Sequence, residues 1–123
     1  MRTTLICVIV AAAALAAGAA ANSRWDRVPP KVHARLNPVA NKPEAAAAGA
    51  QVYRDHCLQC HKESAQGDGH KRPALRSQEI RSVSDGDLEW FLRQGDRGRG
   101  MPSWSSLPEI QRWQVVAYLR SIQ

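Results

Sequence analysis

The strongest constraint on this 123-residue chain is the five-residue run Cys57-Leu58-Gln59-Cys60-His61. A Cys-x-x-Cys-His run is the spacing that attaches a c-type haem. Thiols three positions apart can each add to one of the two vinyl groups along one side of the porphyrin, and the next residue then falls beneath the iron. The imidazole of His61 would be the proximal axial ligand. Such a chain folds around a flat cofactor and has to bury it. Two other readings stand beside this one. A structural zinc site takes about four ligands, and the sequence has no second cysteine pair, its third cysteine being Cys7. A thioredoxin-like dithiol belongs in a βαβ setting, and no strand pattern flanks the motif.

The beginning of the chain bears on compartment. Met1-Arg2, the apolar stretch from Leu5 to Ala17 and the small residues Ala19-Ala20-Ala21 have the layout of a secretory signal peptide, residues 1–21, with Asn22 the first mature residue. The stretch is shorter than the ~20 residues of a spanning helix. An uncleaved anchor, the one route to membrane association, is the alternative. Cys7 leaves with the signal, so Cys57 and Cys60 are the retained thiols and no structural disulfide is expected. The periplasm of a bacterium is the expected location. About 100 residues remain, enough for one small domain whose protein core alone is marginal. Hiding on the order of 500 Å² of porphyrin at about 25 cal/mol per Å² would add on the order of 12 kcal/mol.

Seventeen basic and eleven acidic residues give a formal charge of +6. The basic residues are scattered, which is no nucleic-acid signature, and a solvated surface is the ordinary reading. Arg93, Arg97 and Arg99 nevertheless fall just ahead of Met101. A positive rim there would steer redox partner proteins with acidic docking surfaces towards the cofactor.

Residues 22–43 contain Pro29, Pro30, Pro38 and Pro43 with few periodic apolar residues, and read as an extended arm or linker pinned by Trp25. A domain follows over 44–123. Its first helix starts at Glu44, with Pro43 acceptable in the first turn, and reaches Cys57. Gly49, Tyr53 and Cys57 recur at i, i+4 and i+8 on one face. Gly67-Asp68-Gly69 and Pro73 read as loop. A short helix begins at the cap Ser84, carries Leu88, Trp90, Phe91 and Leu92 on its apolar side, and stops at Gly95.

The last helix runs from near Pro108 to Ile122. Ile110, Trp113, Val115, Val116, Ala117, Leu119 and Ile122 cover most of it, while Gln111, Gln114 and Ser121 share the polar strip. It must be covered on more than one side. The haem and the first helix are the candidates, with Gly49 permitting close approach. Trp90 and Trp113 read as core. Neither an internal repeat nor a strand pattern is present.

Apart from Met1, Met101 is the only methionine, in Gly100-Met101-Pro102 between two predicted helices. A lone methionine is more often core filler than a ligand. A glycine-rich loop stiffened by Pro102 argues for the ligand, and a thioether there would complete His/Met ligation. His33, His56 and His70 compete for the distal position. His56 adjoins Cys57 on a helix and should project away from the iron, and His70 lies in a loop facing solvent. Trp104 could pack on the haem or bond a propionate through its N–H.

Together these residues resemble a class I, monohaem cytochrome c of the small bacterial type. The resemblance covers about Glu44 to Gln123, through Gly49-x-x-x-Tyr53-x-x-x-Cys57-x-x-Cys60-His61, Gly67-Asp68-Gly69, Gly100-Met101-Pro102 and Val115-Val116-Ala117-Tyr118-Leu119. It implies an all-α cytochrome c fold, with crossed N- and C-terminal helices around one covalently bound haem c. Gly49, Tyr53, Val115 and Tyr118 fall on the family's positions. It further implies a proline carbonyl against the proximal imidazole N–H, and Pro73 matches by position. The 22–43 arm is a departure from the family.

A haem with both axial positions filled leaves no substrate site, so single-electron transfer by a periplasmic carrier, not an enzyme, is the expected function. An electron-accepting subunit of a periplasmic dehydrogenase or oxidase, docked through the arm, is the alternative. A haem peroxidase, with a vacant distal position, is another.

Overall fold

The computed structural model describes residues 23–123. The signal-peptide reading of 1–21 and the fate of Cys7 lie outside the described residues. Ser23 opens the structure by capping a 3-10 turn at Arg24–Arg27: its hydroxyl accepts from the Trp25 N–H, and Asp26 accepts from the Ser23 N–H at 2.7 Å. One helical turn, α1, follows at Pro30–His33, with Pro30 where a missing N–H has no consequence.

The expectation of an extended arm over 22–43 is therefore corrected. Over the described residues 23–42 the segment is turned and helical, and it is packed on the domain. The Trp25 ring sits 5.0 Å from that of Phe91, and its Nε1–H donates to Glu79 at 2.8 Å. Asn37 Nδ2 donates to the Trp113 carbonyl at 3.0 Å. Val39, 4% exposed, belongs to the same core cluster as Ala45, Leu88, Trp113 and Val116. The prolines misled because a fixed φ near −65° suits a first helical turn or a β-turn as well as an extended chain. Trp25 and Val39 make single insertions that leave no periodicity to read.

Helix α2, Pro43–His56, is followed without a loop by the single turn α3, Leu58–His61. Short α4, Gln78–Ser82, and α5, Asp85–Gln94, come next, each begun by a serine that accepts from a first-turn N–H. Around Ser84 the Asp87 carboxylate returns the bond, a full capping box. Helix α6, Glu109–Ser121, closes the fold.

Helices α2 and α6 cross at Gly49, where a Cβ would lie 1.9 Å from the Gln114 carbonyl oxygen. Only glycine fits that contact. On one side of the crossing Val52, Tyr53, Val115 and Leu119 pack together. On the other, Ala45, Leu88, Trp113 and Val116 form a second cluster with Val39. Among the described residues the regular structure is helical, with one isolated bridge between Asp96 and Met101. The all-α expectation with crossed terminal helices is borne out. None of these helices is long and apolar enough to cross a membrane.

Two sequence assignments change. Ile110 is 46% exposed, and Trp90 is half-buried where core was expected. The interior position beside Trp90 belongs to Glu89, which is fully buried. Its partner is Arg112 of α6, also buried, whose Nε donates to Glu89 Oε1 at 2.8 Å. Arg35 adds a second cation 3.5 Å from the same carboxylate. Charge paired in this way can occupy core positions that a hydrophobicity pattern reads as surface.

Candidate functional site

Cys57, at φ −115° and ψ −30°, joins α2 to the turn that carries Cys60 and His61. The turn is tied at both ends. Cys57 N–H donates to the Tyr53 carbonyl at 2.8 Å, and His61 N–H to that of Cys57 at 2.9 Å. Immediately after His61 the chain turns away at Lys62, φ +68°. There the hydroxyl of Tyr53, itself 1% exposed, donates to the Lys62 carbonyl at 2.7 Å. Tyr53 thus closes the motif from inside the core, a role that its helical spacing alone did not disclose.

Both cysteines are free and half-buried. Burial, reinforced by the neighbouring Cys60, pushes the Cys57 thiol up to about 11. A redox dithiol works through a thiolate of lowered pKa, so this environment argues against one. Among the described residues no three His, Cys, Asp or Glu side chains converge as a metal site, which leaves the pair without partners for zinc.

His61 Nδ1 meets the Pro73 carbonyl oxygen at 3.2 Å. A carbonyl only accepts, so Nδ1 carries the proton and Nε2 keeps its lone pair. Burial is the largest influence on the ring and lowers its pKa; the Pro73 contact opposes, and the Arg72 charge lowers it further. The result is a neutral imidazole in the tautomer that binds a metal through Nε2.

The loop that delivers Pro73 is built by short-range bonds. Gly67 N–H donates to the His61 carbonyl at 3.1 Å, Asp68 N–H to that of Arg72 at 3.1 Å, and Leu75 N–H to that of Ala65 at 2.8 Å. The Asp68 carboxylate accepts from the backbone N–H of His70 at 2.9 Å and of Arg72 at 3.1 Å. At Gly67, φ +65°, a Cβ would stand 2.8 Å from the Pro73 oxygen and 1.9 Å from that of Arg72. The signal for this arrangement was present in Gly67-Asp68-Gly69, since Asp readily accepts from N–H groups two residues on.

Met101 is held by paired backbone bonds with Asp96, at 2.9 and 3.0 Å, after Gly100 turns the chain at φ +82°. It lines an open depression with Arg97, Gly100 and Pro102. Trp104 N–H anchors the loop to the Leu92 carbonyl at 2.9 Å, and its ring packs 5.1 Å from that of His56. This contact brings the Met101 loop against the end of α2 beside Cys57, and gives the indole a partner that the sequence did not suggest. His33 is engaged elsewhere, its Nδ1 2.9 Å from Asp87. His70 is exposed in the Asp68 loop.

The donor set fits a c-type haem: two free thiols on one turn, an imidazole with Nε2 available, and a thioether on a clamped loop joined to the same helix end. A family model described as "Cytochrome C oxidase, cbb3-type, subunit III" matches residues 44–119, a span that includes the cysteine pair, His61, Pro73 and Met101. No curated protein and no solved structure matches the chain. Matched over more than half its length, the chain belongs to this family of class I monohaem cytochrome c domains, electron-transfer modules that carry covalently bound haem c.

Proposed function

We propose that the protein is a single-electron carrier of the bacterial periplasm. Cys57 and Cys60 would hold haem c through thioethers, and His61 Nε2 and the Met101 sulfur would be the protein's ligands to its iron. The observation that carries this reading is the His61–Pro73 contact, because it fixes the tautomer a proximal ligand needs. When bound, the haem supplies a one-electron iron couple whose potential methionine ligation raises relative to bis-histidine. Pro73 holds the Nδ1 proton, Tyr53 fixes the backbone after His61, and the Val52, Val115 and Leu119 cluster packs against Cys57 and Leu58 and keeps that side dry. The layout of residues 1–21, and the exported setting typical of such domains, support the periplasm.

Partners in this reading are redox proteins with acidic docking surfaces. Arg97 and Arg99 are exposed just before Met101, and Arg24 and Arg27 line a depression with Arg99 in which Asp26 and Asp96 offset part of the positive charge. Docking there would be small and transient. The test is Met101→Ala: covalent haem should be kept, the reduction potential should fall, and carbon monoxide should bind rapidly where the parent does not. Unchanged potential and spectrum would make Met101 filler.

The family's description favours a second reading, an electron-transferring subunit of a terminal oxidase. Because the 23–42 segment packs into the core through Val39, deleting it is no clean probe. Leu36, 87% exposed on that segment, offers one. Under the subunit reading Leu36→Glu should weaken co-purification with an oxidase and leave the haem spectrum intact. Recovery of the unaltered chain free of any oxidase would favour the carrier.

A further inference from the structure

The bond between His61 and Pro73 is only as constant as the loop that presents the carbonyl. Proline has no N–H and cannot anchor itself. Its position is set by its neighbours: Arg72 on one side, and Leu75, tied to the Ala65 carbonyl, on the other. Arg72 is the more heavily tethered: its guanidinium also lies beside Cys60, and its remaining tethers run to one residue, Asp68. The Arg72 carbonyl accepts from the Asp68 N–H at 3.1 Å, its N–H donates to Asp68 Oδ1 at 3.1 Å, and its guanidinium reaches Asp68 Oδ2 at 3.2 Å. The same Oδ1 also takes the His70 N–H at 2.9 Å.

We infer that Asp68 is a positioning residue for electron transfer: by fastening Arg72 it holds the Pro73 carbonyl on His61 Nδ1 and so sets the reduction potential. The inference rests on the reading of His61 as the iron ligand. Donation from Nδ1 enriches the electron density at Nε2, which favours the ferric state. Releasing Arg72 lets the carbonyl drift and weakens that donation. The potential then rises. The carboxylate's own charge, close to the site, acts in the same direction, so geometry and charge have to be separated by choice of variant. Asparagine keeps an Oδ1 acceptor for both backbone N–H groups and removes the charge. Alanine removes both.

The experiment uses the haem-loaded mature protein. Reduction potentials of the parent, Asp68→Ala and Asp68→Asn are measured by spectroelectrochemistry, and exchange of the His61 Nδ1–H is followed by NMR in the ferrous state. Asp68→Ala is expected to lower the ferric-to-ferrous ratio at a fixed poise about threefold, a rise of about 28 mV at 59 mV per decade. It should also accelerate Nδ1–H exchange. Asp68→Asn should return both quantities most of the way to the parent. Unchanged potential and exchange in Asp68→Ala would overturn the inference, and so would an Asp68→Asn shift as large as that of alanine. If the alanine variant cannot be recovered with haem, Asp68→Ser, with an acceptor for one N–H only, should show a smaller shift of the same sign, and no shift overturns the inference. An altered parental spectrum would instead mark failure of the ligand assignment.

Discussion

Asp68 shows how a surface carboxylate can be committed to its own loop. The His70 and Arg72 N–H groups, with the Arg72 guanidinium behind them, hold its pKa down to about 2. A depressed carboxylate contributes stability that is fully present above the ordinary range near 3.9 and is lost as the pH falls through the folded value. The 67–73 loop should therefore keep its geometry on acidification until close to pH 2. A carboxyl-carbon NMR titration of Asp68 should give a midpoint near that value, and an ordinary carboxylate midpoint would contradict the bonds. The motif residues Cys57, Cys60 and His61 were legible because covalent chemistry fixes their spacing. The roles of Asp68 and Tyr53 were not, since each acts on a backbone carbonyl or N–H whose position only the folded chain supplies.

Among the elements, the crossing of α2 and α6 tolerates least. Gly49→Ala would drive a methyl group into the Gln114 carbonyl, which belongs to backbone and cannot swing aside. Overpacking of this kind costs about 1–3 kcal/mol or more, and denaturant unfolding should show a loss of at least that size; a loss under ~0.5 kcal/mol would mean that the helices separate freely. Here the sequence was a good guide. Gly49, the Ser84 cap and the apolar face of α6 are local signals, and each predicted its element. What it missed was the pairing of α5 with α6 through Glu89 and Arg112. Taken singly, a glutamate and an arginine read as solvent-facing. Only their meeting at 2.8 Å makes the interior acceptable to either.

For the whole molecule, the 23–42 segment works as a strap. It joins α4 through Trp25 and Glu79, α5 through Phe91 and Asp87, and α6 through Trp113 and Glu109. Val39 is its deepest insertion, and Val39→Ala should cost about 2 kcal/mol by loss of burial and the cavity left behind. Thermal unfolding of the haem-loaded protein should report it as one cooperative transition at lower temperature. A separate early transition would mean that the strap folds independently of the domain. The segment was opaque in the sequence because its contacts are long-range and each uses a single residue. The haem-bearing domain was readable because its chemistry is local to one turn.

The central claim is that one turn of helix, Cys57 to His61, carries the haem on both of its thiols. Mass analysis of proteolytic fragments from the haem-loaded protein tests it directly. The account predicts a single fragment spanning Cys57–His61 that bears one haem, with neither cysteine open to alkylation. A fragment of bare peptide mass, with both thiols freely alkylated, would contradict it.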